Sequence, residues 1–116
     1  DLLRGIDPAV SRENLAAILT EAAAQEVPVL LVAIEAPGNY GPEYRASFDA
    51  IYPQLAEEHG VALAESFLAP LLDDSQDAAL RDYLQEDGLH PNAEGVARIV
   101  EGLGPKVLDL IDTATR

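Results

Sequence analysis

The sequence predicts an α/β fold in which helices cover a parallel β-sheet. Helical and strand patterns alternate along the chain in the order helix, strand, helix, strand, helix, which is typical of a parallel sheet. Residues 29–34 are continuously apolar, and this pattern indicates a strand buried on both faces. Apolar residues make up 48% of the chain and are mostly alanine and leucine, which suits helices packed on a sheet.

The first helix is predicted over residues 7–25, after a short loop. Asp7 is suited to the N-cap, and Pro8 is suited to the first helical position because its missing N–H would be unpaired there anyway. Pro28 ends the helical pattern, and the strand at 29–34 follows. The helix carries an apolar stripe at helical spacing, formed by Val10, Leu15, Ile18, Leu19 and Ala22.

A second helix and a second strand come after a loop. Proline and glycine throughout residues 36–42 predict the loop. The helix is expected over residues 42–58, with a kink or short break at Pro53 and a stop at Gly60. Residues 61–64 then indicate a short strand.

The last third of the chain is predicted to be mainly helical. A short helix over residues 76–84 lies between an apolar connection and a polar loop over residues 85–92. The final helix opens at Pro91 or Asn92 and continues to about Thr113. Bends are expected in this helix at Gly102, Gly104 and Pro105.

Length, charge and composition exclude several classes of function. A chain of 116 residues is one domain at most, and it has no apolar run long enough to span a membrane. Seven basic residues against 21 acidic ones give a net charge of −14. No nucleic-acid partner is expected, because a phosphate-binding face needs clustered lysine and arginine. The lack of cysteine excludes disulfides, thiolate metal sites and cysteine nucleophiles.

The candidate chemistry lies in the segment D-G-L-H-P-N at residues 87–92. Asp87 and His90 are three residues apart across Gly88, just before a helix, so a turn can bring the two side chains together. The carboxylate can then accept the proton of one imidazole nitrogen, which leaves the other nitrogen as a general base. Chance matches to such a short pattern are common. A metal site would need a third ligand, and no other His, Asp or Glu cluster has suitable spacing. The other histidine, His59, is interpreted as a structural or exposed residue at a helix end.

The surrounding sequence resembles the SGNH (GDSL) hydrolases, whose last block is usually written D-G-x-H-P. The similarity runs along the whole chain and points to the bacterial arylesterase, thioesterase I and lysophospholipase group. Residues 1–8 resemble the loop after the G-x-N-D block of that group, and residues 36–41 resemble its P-x-N-Y-G loop. Further matches are Tyr44, Phe48, Ile51-Tyr52-Pro53, Leu55-Ala56 and Phe67-Leu68.

The resemblance implies a three-layer α/β/α fold of the flavodoxin-like SGNH type. It implies that Asp87 is the triad acid and His90 the general base of a carboxylic ester hydrolase that needs no metal and no cofactor. The substrate is a small acyl ester, with thioesters and lysophospholipids in the same group. Leu89 either contacts substrate or fills the core. Two loops are implied to border the acyl-binding cleft, through Leu2, Leu3, Arg4, Gly5 and Ile6 and through Pro37, Asn39 and Tyr40.

The nucleophile of this triad is not found in a suitable setting. Asp1 matches the last residue of the G-x-N-D block, so the oxyanion-hole Asn and Gly and the serine of the G-D-S block lie outside the sequence. We expect residues 1–116 to be the C-terminal portion of a single SGNH domain, inactive alone, with an N-terminal segment of the same protein supplying the serine. The serines present are outside any G-D-S or G-x-S-x-G turn: Ser11, Ser47, Ser66 and Ser75.

Two alternatives stay open at this point. The chain can belong to a non-catalytic binding module that kept the scaffold, which the lack of a G-D-S segment upstream would indicate. It can also belong to an esterase of O-acetylated carbohydrate, which uses the same triad. The P-x-N-Y-G match favours acyl and aryl esters over sugars. No targeting segment is visible, and a periplasmic or secreted location is implied by the resemblance alone.

Overall fold

The computed structural model describes residues 2–72 and 78–116, and its elements follow the predicted order. Within these residues the helices are α1 (Pro8–Ala24), α2 (Pro42–Asp49), α3 (Ile51–His59), α4 (Ala78–Asp82) and α5 (Ala93–Ala114). The strands are β1 (Leu30–Val32) and β2 (Ala62–Ala64). Short 3-10 turns lie at Leu2–Arg4, Gly38–Tyr40 and Ala69–Leu71, inside segments predicted as loops or connections.

Helix α1 begins and ends where the sequence predicts. The Asp7 carboxylate accepts a hydrogen bond from the Ala9 amide at 2.9 Å, so Asp7 is the N-cap and Pro8 the first helical residue. At the other end, the Val27 amide donates to the Ala22 carbonyl at 2.9 Å, which closes a Schellman-type cap. Glu26 takes the left-handed conformation of that cap with φ of 55°.

The predicted helix over residues 42–58 is two helices that meet at Ala50. The predicted break is confirmed, but it lies three residues before Pro53 rather than at the proline. Pro53 is the third residue of α3, within the first turn, where a backbone N–H has no partner inside the helix. Gly60 ends α3 in the left-handed conformation, as predicted.

The two strands form a parallel pair, with Leu31 opposite Leu63. One backbone group of β2 is bound by helix α5, because the Lys106 ammonium group donates to the Leu63 carbonyl at 3.3 Å. The expected burial of the first strand on both faces is only partly observed. Leu31 is buried, but Leu30 and Val32 are half-buried, since within the described residues β1 is paired on one edge only.

Helices pack on the sheet in two groups. The main core joins α1, α2, α3 and β1, with Phe48, Ile51 and Leu55 almost fully buried. Helix α5 contacts both strands and the Ala69–Leu71 turn, where Ile99 and Leu71 are buried outside that core. This is the predicted three-layer α/β/α arrangement. Helix α5 runs without a break through the three residues predicted to bend it, Gly102, Gly104 and Pro105.

None of the described helices combines the length and the apolar character that a membrane span requires.

Candidate active site

Asp87 and His90 lie in one turn, which we call the Asp-His turn (residues 87–90). The Nδ1 atom of His90 is 2.5 Å from Oδ2 of Asp87. The other carboxylate oxygen, Oδ1, accepts the backbone N–H of Leu89 at 2.9 Å and that of His90 at 3.0 Å. Both oxygens of the carboxylate are therefore engaged, and the carboxylate is held in one orientation towards the ring.

The backbone of the turn permits this geometry. Gly88 has a φ of +69°, a backbone conformation that residues other than glycine rarely adopt. Its amide donates to the Gln85 carbonyl at 2.9 Å, and the Gln85 amide donates to the His90 carbonyl at 2.7 Å. The chain thus reverses between Gln85 and His90 and brings Asp87 under the imidazole.

Asn92 fastens the base of the turn to the rest of the fold. Its side-chain oxygen accepts the Gly95 amide at 2.9 Å and so caps α5. Its side-chain nitrogen donates to the Asp82 carbonyl at 2.7 Å, at the end of α4. Gly95 is required at this junction, because a Cβ atom there would lie 2.2 Å from the Tyr83 carbonyl oxygen.

The hydrogen bonds to Asp87 stabilise its charged form. The bond with the His90 ring is the largest cause, followed by the two backbone N–H groups, and together they lower the pKa of Asp87 from 3.8 to about 2. Asp87 is therefore a carboxylate at neutral pH. The His90 side chain is 71% exposed.

This arrangement can orient a general base. In a neutral imidazole whose Nδ1–H donates to Asp87, the lone pair lies on Nε2, on the far side of the ring. The adjacent carboxylate also stabilises the imidazolium that forms when Nε2 takes a proton. Among the described residues, no group of three or more His, Asp or Glu side chains is placed to hold a metal ion.

The two predicted substrate loops lie against each other. We call residues 2–6 the leading turn and residues 37–41 the Pro37 loop. The Tyr40 hydroxyl donates to the Leu3 carbonyl at 2.8 Å, and the Tyr40 ring covers Gly5, where a Cβ atom would lie 2.6 Å from the ring. The leading turn also borders an open cleft of about 630 Å³ through Leu2, Leu3 and Arg4.

For the remaining predicted site residues, the structure gives exposure and location but no contact with a site. Leu89 lies on the Asp-His turn and is 50% exposed, so it does not fill the core. Asn39 is exposed and Pro37 half-buried in the Pro37 loop. The residues lining the cleft beside Leu2 come from the leading turn, α1, α2, α3 and Ile34 in the segment after β1. The Asp-His turn does not contribute to them. The roles assigned to all these residues in substrate binding stay predictions.

Sequence reasoning missed two residues that position the loops. The Tyr44 hydroxyl donates to the Ile6 carbonyl at 2.8 Å, and the Asp49 carboxylate accepts the Ala36 amide at 2.8 Å at the start of the Pro37 loop. A signal for Tyr44 was present, because Tyr40, Tyr44, Phe48 and Tyr52 recur at intervals of four in a chain with only six aromatic residues. Asp49 carried no such signal.

None of the described serines is placed to act as a nucleophile with His90. Ser11 is buried within α1, Ser47 lies within α2, and Ser66 follows β2. No hydrogen bond is found between any of them and His90 in the parts of the chain that the structure covers. Ser75 and Asp1 lie outside the described residues.

Comparison with known proteins identifies the family. A model of the GDSL-like lipase/acylhydrolase family matches residues 1–98. The chain is 33% identical to esterase TesA of Pseudomonas aeruginosa, across 96% of this chain and 52% of that protein. It is also 33% identical to thioesterase 1/protease 1/lysophospholipase L1 of Escherichia coli K12, across 97% of this chain and 51% of that protein.

A solved structure agrees with the sequence relatives. The fold matches that of AlinE4, described as an SGNH-hydrolase family esterase, with a TM-score of 0.66 and 39% identity over 94% of this chain and 55% of that one. The chain spans about half the length of the curated relatives it matches. By its sequence and by its fold, this chain belongs to the GDSL-like lipase/acylhydrolase family of SGNH hydrolases.

Proposed function

We propose that the protein hydrolyses carboxylic esters through a Ser-His-Asp triad, and that this chain supplies its acid and base, Asp87 and His90. The observation that carries the proposal is the contact of 2.5 Å between His90 Nδ1 and Asp87 Oδ2, made within a turn whose two backbone N–H groups bind the other carboxylate oxygen. The His90 side chain is exposed, and because Asp87 holds Nδ1, Nε2 is the nitrogen that can accept a proton.

The proposed reaction has two halves. In the first, a serine Oγ bonds to the ester carbonyl carbon as His90 Nε2 takes its proton, and the imidazolium then gives that proton to the departing alkoxide. In the second, Nε2 takes a proton from water as the water oxygen bonds to the acyl carbon. The acyl–Oγ bond then breaks, the imidazolium returns the proton to serine Oγ, and the carboxylic acid leaves. Asp87 stays ionised throughout and stabilises the imidazolium in both halves.

The serine, in this proposal, comes from a companion segment of the same protein, with residues 1–116 forming the C-terminal portion of one domain. Three features support a companion. The relatives are about twice as long, and among the described residues β1 is paired with a strand on one edge only, which leaves the other edge for a further strand. Large apolar side chains also stay exposed on both helical layers, on α1 (Val10, Ile18) and on α5 (Val96, Val100, Val107, Leu108, Ile111).

The substrate class follows the names of the relatives. They are called esterase and thioesterase/lysophospholipase, and a third relative from Vibrio mimicus is called arylesterase. The acyl group is the part these substrates share. We therefore propose that the protein recognises the acyl chain and tolerates different leaving groups.

The test compares two matched histidine variants. Hydrolysis of p-nitrophenyl acetate and butyrate is measured for the 116-residue chain and for the full-length protein from its source gene. In the full-length protein, His90→Ala is expected to lower kcat by about 10⁴ or more, since the members of a triad act as a unit. The control is His59→Ala, which removes the only other histidine, at the end of α3, and is expected to leave kcat unchanged.

Each outcome decides one part of the proposal. Activity in the 116-residue chain alone would contradict the need for a companion serine. A full-length protein that is equally active with His90→Ala would contradict the triad and indicate a different mechanism. A full-length protein that hydrolyses neither ester would favour a non-catalytic module.

A further inference from the structure

A row of four aromatic rings connects the core of the protein to the two loops predicted to bind substrate. Tyr40, Tyr44, Phe48 and Tyr52 follow one another at intervals of four along the Gly38–Tyr40 turn, α2 and α3. Successive ring centroids are 5.1, 6.4 and 5.8 Å apart. Phe48 and Tyr52 are buried, whereas Tyr40 is 46% exposed. The row therefore begins in the rigid core and ends at the surface.

The two rings at the outer end of the row hold the leading turn by their hydroxyl groups. Tyr44 donates to the Ile6 carbonyl and Tyr40 donates to the Leu3 carbonyl, both at 2.8 Å. The two acceptors lie on either side of Gly5, which has a φ of +63°. Two hydrogen bonds therefore attach the turn to the aromatic row, and their donors and acceptors are 38 and 37 residues apart in the chain.

The two attachments differ in strength. Tyr44 is half-buried, its hydrogen bond is partly buried, and its ring lies nearly parallel to that of Phe48, with 13° between the planes. The bond from Tyr40 is exposed, where water competes for both partners. Tyr44 is accordingly the main attachment and Tyr40 the weaker, outer one.

The leading turn presents the apolar side chain of Leu3 next to the charged and exposed Arg4. Leu3 is 61% exposed and lies directly beside the Tyr40 ring that bonds to its carbonyl. An acyl chain that packs on this surface loses contact with water, and each CH₂ group so buried raises affinity by roughly fourfold. A small displacement of the turn would therefore affect long acyl chains much more than short ones.

We propose that Tyr44 is a positioning residue that sets the acyl-chain preference of the enzyme by holding the leading turn through the Ile6 carbonyl, with Tyr40 fixing its outer end. The inference rests on the proposed esterase function and specifies the part of the site that selects the acyl chain. Tyr44 does this without contacting the reacting atoms, because its hydroxyl is bonded to the backbone of the turn.

The experiment uses the full-length protein with Tyr44→Phe, Tyr40→Phe and the control Tyr52→Phe, which removes a hydroxyl from the same row outside the two bonds described. Values of kcat and KM are measured for p-nitrophenyl acetate, butyrate and octanoate. Trypsin cleavage after the exposed Arg4, relative to cleavage after Arg81, independently reports how firmly the turn is held.

Tyr44→Phe is expected to raise the KM for octanoate relative to acetate by roughly fivefold, the factor that corresponds to loss of one ordinary hydrogen bond, with a smaller change in kcat. Cleavage after Arg4 is expected to accelerate by a similar factor. Tyr40→Phe is expected to have about half this effect on a logarithmic scale, since its bond is exposed. Tyr52→Phe is expected to change neither ratio.

Two results would overturn the inference and one would overturn its premise. If Tyr44→Phe and Tyr52→Phe gave the same cleavage rate, the hydroxyl would not hold the turn. If cleavage accelerated but the octanoate-to-acetate ratio stayed constant, the turn would not contact the acyl chain. If the wild-type protein hydrolysed none of the three esters, the proposed function would fail and the acyl role with it, whatever the cleavage rates.

Discussion

The Asp-His turn and the leading turn are held by different kinds of interaction. The hydrogen bonds within residues 85–91 that shape the Asp-His turn join residues no more than six apart, and the His90 ring is open to solvent. The leading turn is held by Tyr40 and Tyr44 across more than 35 residues, on rings that continue into the core. The proposed catalytic pair is thus built locally, whereas the proposed acyl surface depends on the tertiary packing of α2 and α3.

This difference predicts how each region responds to damage. A local turn keeps its geometry as long as its own glycine, carboxylate and N-cap are present. The leading turn, which is attached to the core, changes position whenever the core moves, even when the substituted residue contacts no substrate. Substitutions in the core beneath the leading turn should therefore lower stability and acyl selectivity together. Substitutions in the Asp-His turn should not link these two properties.

The largest effect is expected for Phe48→Ala, which removes the buried ring beneath Tyr44. Because Phe48 is only 3% exposed, the free energy of unfolding should fall by about 3–5 kcal/mol, measured by urea denaturation. Leu89→Ala, on the exposed Asp-His turn, should change it by less than about 0.5 kcal/mol. Should Phe48→Ala fail to fold, Phe48→Leu gives a milder loss. Equal effects at the two positions would contradict the contrast between the regions.

An intermediate loss of stability is expected when alanine replaces the one glycine of positive φ in each region. Gly5 and Gly88 both have positive φ, so alanine at either site should cost about 1–2 kcal/mol in strain. Only Gly5→Ala also displaces a ring, because its Cβ would lie 2.6 Å from Tyr40, whereas no atom lies within 4 Å of a Cβ at Gly88. Gly5→Ala should therefore lose roughly a further 0.5 kcal/mol with the exposed Tyr40 hydrogen bond.

Thermal unfolding of these variants provides the measurement. Gly104→Ala is a suitable control, since this helical glycine has open space around its Cβ position and alanine there should stabilise by about 0.5–1 kcal/mol. A larger loss at Gly88 than at Gly5 would show that the Asp-His turn, and not the leading turn, is the more constrained of the two.

The smallest expected effect is a change in the pKa of Asp87 in the Asp-His turn, which NMR titration of its carboxyl carbon measures. The pKa of Asp87 is expected at about 2, and His90→Ala should raise it part of the way to 3.8, because the backbone N–H bonds from residues 89 and 90 remain. His59→Ala should leave it unchanged. A wild-type Asp87 that titrates near 3.8 would contradict the geometry of the turn.

The sign of the associated pH effect follows from the lowered pKa. The folded protein holds fewer protons on Asp87 than the unfolded chain does between pH 3.8 and 2. The stabilisation from Asp87 is therefore complete above about pH 3.8 and is lost as the pH falls towards 2. The exposed position of the turn keeps this contribution small.

Features with local causes were predicted well from the sequence. The Asp7 cap, the left-handed Gly60 and the Asn92 cap all occur as expected, because each depends on hydrogen bonds or backbone angles within a few residues. The pairing of Asp87 with His90 belongs to the same class, since a three-residue separation across a glycine leaves little freedom. The resemblance to the SGNH hydrolases extended these local predictions to a fold and a family, and both are confirmed.

Other features were decided by contacts that no local pattern contains. The break in the second helix falls at Ala50 rather than Pro53, where the proline is accommodated in the first turn of α3. Leu30 and Val32 are half-buried although their sequence predicts full burial, because burial depends on what lies beside the strand. The hydrogen bond from the Tyr44 hydroxyl to the Ile6 carbonyl joins residues 38 apart in the chain, so no local pattern predicts it.

The sequence by itself therefore determined the order of the elements, their caps, the acidic charge and the pairing of one carboxylate with one imidazole. These depend on backbone preferences and on hydrogen bonds that span few residues, so their entropy of closure is small. Only the tertiary structure decided which face of each strand is covered and how the leading turn is suspended from the aromatic row. Those outcomes depend on packing between segments far apart in the chain, where many arrangements satisfy the same local pattern and core contacts select one.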